Sequence, residues 1–160
     1  LRDKKEKNVL KKIIDDKKFA SLMQKNIEET LMFLFEKEEQ FGILCKISDV
    51  TFDPELPHAM LSEFRSLTLF LLAGYTFETA HIADDCLVFE AGFGDENFGS
   101  VVSVPLLSIL QVLVDDTPIL INLATYKKEQ RSKEKVDNKG VENSMKSFLS
   151  NPENSKFFKK

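Results

Sequence analysis

CLVFEAGFGDENFGSVVSVPLLSILQVLVDDTPILINLA, residues 86–124, is the stretch whose reading decides the fold. Cys86 to Phe93 is rich in β-branched and aromatic residues and predicts a strand. Gly92, Gly94 and Gly99 bracket Asp95-Glu96-Asn97, the chemistry of a hairpin loop. Ser100 to Val104 returns as the second strand. Pro105 suits a first helical position, where its missing N–H costs nothing. Leu106, Leu107, Ile109, Leu110, Leu113 and Val114 then predict a short buried helix, apolar on most of its surface. Asp115-Asp116-Thr117-Pro118 stops it, and Ile119 to Leu123 reads as a last core strand.

Upstream, Phe19 to Gln40 has the strongest helical pattern in the chain. Phe19, Leu22, Met23, Ile27, Leu31, Leu34 and Phe35 recur at three- and four-residue steps, with Glu28, Glu29, Glu36, Glu38 and Glu39 opposite. Met32 and Phe33 lie off that stripe. A helix apolar on two sides touches two bodies, read here as its own sheet and a second copy of the chain. Leu31, Met32, Phe33 and Phe35 are the expected dimer contact; the alternative leaves Met32 and Phe33 in the core. Whether residues 1–18 are helical stays open. Phe41-Gly42 is expected to end the helix and Ile43 to Phe52 to form a strand, followed by the Pro-marked excursion Asp53 to Pro57. Leu67 to Ala73 is a buried strand or a short helix, which periodicity alone does not separate. Tyr75 to Ile82 alternates and predicts a strand. The fold class is α+β: a long N-terminal helix, then a small, strongly bent antiparallel sheet or barrel with a short helix before its last strand. Residues 1–40 are the helical segment, 41–125 the β-rich body and 126–160 a charged tail with a short amphipathic element.

Of the 160 residues, 42% are apolar and 30% charged, the composition of a globular protein. No apolar run approaches the roughly 20 residues that span a bilayer. Leu1 to Lys18 is mostly charged, unlike a secretory signal peptide, so the expected compartment is the cytoplasm. The net charge of −4 hides a segregation: residues 41–125 hold 2 basic and 12 acidic groups, whereas residues 126–160 hold 10 basic and 5 acidic. A body of net −10 is ill suited to nucleic-acid phosphates and favours neutral or cationic partners. Cys45 and Cys86 are expected to be free thiols. With two Cys and two His and no CxxC or HxxxH spacing, neither a metal nor a cofactor is expected. Gly92-Phe93-Gly94 lacks the Gly-Lys-Ser/Thr ending of a phosphate loop, and His58 and His81 have no nucleophile motif beside them. The expectation is a protein that is not an enzyme.

Gly92-Phe93-Gly94 followed by Val102-Ser103-Val104-Pro105-Leu106 resembles the stringent starvation protein B family, adaptors that deliver tagged substrates to the ClpXP protease. The likeness extends more weakly through Ile43 to Phe52 and Ala73 to Phe89, about half the chain. It implies an Sm-like barrel, a homodimer through the N-terminal helix, a peptide-binding groove, and a tail ending in a short peptide that docks on ClpX. Lys156, Phe157, Phe158, Lys159 and Lys160 have the apolar-basic character of that peptide, without the family's aliphatic sequence. The groove is expected around Tyr75, Phe77, Phe89, Glu90, Gly92, Phe93 and Gly94, where glycines admit peptide backbone and phenylalanines offer apolar contact. Glu90, Asp95 and Glu96 favour a peptide carrying Lys or Arg. The rival is an acidic, dimeric secretion chaperone or assembly factor that holds a partner. Its usual order has two strands after the central helix, and the single expected strand after Pro105 leans toward the adaptor.

Overall fold

The computed structural model describes residues 2–127, with side chains from Asn8 onward, and Leu1–Tyr126 is one compact unit. Helix α1 (Arg2–Ile14) leads into α2 (Lys17–Glu36). Asp16 caps α2, its carboxylate accepting from the Lys18 N–H at 2.7 Å. Ile27, Leu31 and Leu34, at helical spacing, bury one face. The helix stops where Glu38 turns to φ 55°, four residues short of the expected Gln40. Phe41-Gly42 therefore opens the first strand instead of closing the helix.

The body is two four-stranded antiparallel sheets, and the described residues form no closed barrel. The first sheet has the order β3 (Leu67–Leu72), β1 (Phe41–Lys46), β7 (Ile109–Val114), β8 (Thr117–Ile121). The second has the order β2 (Thr51–Asp53), β6 (Phe98–Pro105), β5 (Cys86–Phe93), β4 (His81–Ala83). Of the four crossings between sheets, two are made at 3₁₀ turns, Ile47–Asp49 and Leu106–Ser108. Ser108 Oγ donates to Asp49 Oδ2 at 2.8 Å and ties these two turns together. The expected strand from Ile43 to Phe52 is thus two strands serving different sheets. Two further short helices, α3 (His58–Leu61) and α4 (Tyr75–Thr79), flank β3.

Two expectations are corrected. Tyr75 to Thr79 is a helical turn, not part of a strand; only His81–Ala83 pairs, with Cys86–Val88. The helix expected after Pro105 is a 3₁₀ turn followed by β7. Pairing shifts register between Leu44↔Gln111 and Cys45↔Ile109, so Leu110 is an extra residue. Ile109 and Val112, both fully buried, consequently fall three apart, a helical interval produced by a bulged strand. Two strands, β7 and β8, follow the turn, so strand order no longer separates the adaptor from the secretion-chaperone reading.

Side chains from α2, both sheets and Leu106 share one core. Asn122, 2% exposed, ties the chain after β8 to the start of β7: Nδ2 donates to Leu107 O (3.1 Å) and Ile109 O (3.0 Å), and Oδ1 accepts from the Ala124 N–H (2.8 Å). Asn122→Leu is expected to cost about 3 kcal/mol, because three buried backbone groups lose their partner; urea denaturation measures it.

Asp84-Asp85 and Asp115-Asp116 are two-residue hairpin turns, with φ of 52° and 60° in the first and 51° and 63° in the second. Positive φ at both positions matches the twist of the flanking strands. Asp116→Gly should stabilise the fold by about 0.5–1 kcal/mol by removing Cβ strain, read as a higher denaturation midpoint.

The outer face of the first sheet is aliphatic. Leu69, Leu44, Gln111 and Ile121 form one cross-strand row, beside Leu71, Gly42 and Leu113 in the next. Leu67, Leu69, Leu71, Ile119 and Ile121 are exposed on it or at its edges, and no other described residue covers them.

Candidate functional site

On the outer face of the second sheet, pairing Asp53↔Val101 and Val101↔Glu90 sets three side chains in one row across β2, β6 and β5. Paired residues share a face, and here it is the face opposite buried Phe89 and Val102. The neighbouring row on β5 and β6 is Gly92↔Gly99, a strand pair without side chains. Over Gly99 the space is open, whereas a Cβ at Gly92 would overlap the Asn97 side-chain amide. One wall is Tyr75 and Thr76 of α4; the other is Asp53-Pro54, fixed by Ser100 Oγ donating to Pro54 O at 2.8 Å. The result is an open depression of about 620 Å³.

Tyr75 Oη donates to Glu90 Oε2 at 3.1 Å, and the Glu90 N–H donates to Thr79 Oγ1 at 3.0 Å. The hydrogen bond to Glu90, then the charge of that carboxylate and a smaller desolvation effect, holds the Tyr75 phenol above its usual pKa. This contact is present at neutral pH and is lost as pH rises through the raised value. β4 covers the side of β5 only as far as Val88. From Ala91 to Phe93 no described strand pairs with that side of β5.

Of the seven residues expected to bind peptide, Tyr75, Glu90 and Gly92 line the depression. Four do not. Phe89 is 1% exposed and packs on Phe70 with ring centroids 5.6 Å apart. Phe77 turns inward against Phe35 and Phe41, at 5.8 and 6.2 Å. Phe93 joins Phe52 and Phe64, at 5.6 and 5.9 Å. Phe89 and Phe93 serve the core because β5 alternates and its odd-numbered positions face inward. Gly94, at φ 73°, sits in the hairpin turn against Met60. Asp53, Asn97, Gly99 and Val101 line the site without having been expected. Only the pairing of β2 with β6 brings Asp53 to Glu90, and no spacing in the sequence encodes that.

The expected dimer contact divides similarly. Leu31 is fully buried in the core, and Phe35 packs on Phe41 at 5.6 Å. Met32 and Phe33 are exposed, 55% and 54%, on the far side of α2 beside a shallow depression of about 750 Å³. Lys156 to Lys160 lie outside the described residues. Cys45 and Cys86 are free thiols; burial, and secondarily the Asp49 carboxylate, pushes the Cys45 thiol up to about 12. His81 Nδ1 lies 3.0 Å from Thr79 O, and no group of three or more metal-ligating side chains occurs among the described residues. No helix of the described residues is long and apolar enough to cross a membrane.

No protein-family model matches the chain, and no curated protein sequence matches it.

Proposed function

We propose that this chain is a non-enzymatic adaptor that holds an extended peptide against the outer face of its second sheet and delivers the attached protein to the ClpXP protease. The single observation that carries the reading is the depression whose floor is bare over Gly99, between walls from α4 and β2. A floor bare over Gly99 admits a peptide main chain, and walls from α4 and β2 select its side chains. In this reading the two sheets are an opened counterpart of an Sm-like barrel, and the adaptor works in the cytoplasm. It dimerises through Met32 and Phe33, and Lys156–Lys160 contact the unfoldase, which raises the local concentration of captured substrate. The test is delivery. ClpXP should degrade a fluorescent protein carrying a peptide selected on this chain faster with the full chain than with one ending at residue 150, while both bind the peptide equally. Absence of acceleration by the full chain contradicts delivery.

A second reading, an assembly factor that shields an apolar partner, is favoured by the aliphatic outer face of the first sheet, where Leu71 is 66% and Ile121 61% exposed. It places the partner on the opposite sheet, which makes the two readings separable.

A further inference from the structure

Resting on the peptide-binding reading, we infer that the depression selects an extended peptide carrying arginine, with a bulky side chain two residues away. Four observations specify that ligand.

The first is the carboxylate pair. Glu90 and Asp53 are exposed on one face, each paired with Val101, so they stand two strand spacings apart. That places their Cα atoms roughly 9.6 Å from each other. A side chain lying over Val101 has one carboxylate on each side. The second is preorganisation: Tyr75 Oη holds Glu90 Oε2 and leaves Oε1 able to accept. The third is charge balance. No lysine or arginine lines the depression, and the only basic residues between 41 and 125, Lys46 and Arg65, lie elsewhere. A planar guanidinium with donors along two edges matches two separated carboxylates better than the compact ammonium of lysine does.

The fourth observation sets the spacing. Val101 and Gly99 are two residues apart on β6 and face the same way, about 6.8 Å along the strand. An extended peptide has that same repeat. With arginine over Val101, the side chain two positions away lies over Gly99, where nothing approaches within 4 Å of a Cβ position. The selected pattern is therefore arginine, any residue, large residue, in either chain direction. Glu90 and Asp53 supply the charge selectivity, and Tyr75 acts as a positioning residue for Glu90.

The experiment uses the full chain and an array of extended decapeptides on a Gly-Ser-Thr background, with positions 5 and 7 varied through every amino acid. Expected are preferences for Arg at one varied position and for Leu, Met or Phe at the other, with Arg about tenfold tighter than Gln. Glu90→Gln and Asp53→Asn should each narrow the gap between the Arg and Gln peptides. Tyr75→Phe should narrow it less. Reversing both charges, Glu90→Lys with Asp53→Lys, should turn the preference toward Glu, an outcome that misfolding does not produce. Equal binding of Arg and Gln peptides overturns the inference and leaves the peptide-binding reading intact. Binding to no peptide on the array overturns both.

Discussion

Phe89→Ala is expected to destabilise the fold by about 3–5 kcal/mol. The ring is 1% exposed in the middle of β5 and meets Phe70 at 5.6 Å. Truncation removes its burial free energy and leaves a cavity that both sheets are too constrained to close. A domain of this size has on the order of 5–15 kcal/mol to lose, so about a fifth or more of the stability disappears with one side chain. Equilibrium urea denaturation followed by circular dichroism measures the loss. A change under about 1 kcal/mol would place Phe89 outside the core, in the position of a ligand contact.

Gly99→Val should do the reverse. Gly99 has ordinary strand φ, a Cβ there meets no atom within 4 Å, and valine favours the strand over glycine. Stability should therefore hold or rise by up to about 1 kcal/mol. The new side chain stands on the floor of the depression, where a peptide main chain and its side chain would lie, so peptide affinity should fall by at least about thirtyfold, the cost of roughly 2 kcal/mol of steric conflict. Thermal melting and fluorescence anisotropy separate the two effects. A stable Gly99→Val chain that binds peptide as well as the wild type would remove the depression from the account.

Much of this architecture was legible in the chain, for physical reasons that also explain what was not. The β5–β6 hairpin declares itself through aromatic and β-branched residues on either side of Gly94 to Asn97. Ile27, Leu31 and Leu34 keep a helical interval because one face of α2 is buried. The Ile109–Val114 strand was hidden by its bulge: an extra residue at Leu110 turns a two-residue period into a three-residue one. Tyr75 to Thr79 alternates by composition yet coils, since Gly74 at φ 57° redirects the chain just before it. Within the site, Glu90 and Gly92 were visible because they lie on a recognisable strand. Phe89 and Phe93 belong to that same strand, but their parity, which sends them inward, depends on which face the other sheet covers. Asp53 and Gly99 reach the site only through pairings between distant segments.

Adaptor function of this kind requires a guest peptide on the outer face of the second sheet. Backbone amide NMR of the ¹⁵N-labelled chain, titrated with the tightest peptide from the array, tests it most directly. Shift changes concentrated at Tyr75, Glu90, Gly92, Gly99 and Val101 are expected. Changes concentrated instead at Leu44, Leu69, Leu71 and Ile121, across the aliphatic face of the first sheet, would contradict it.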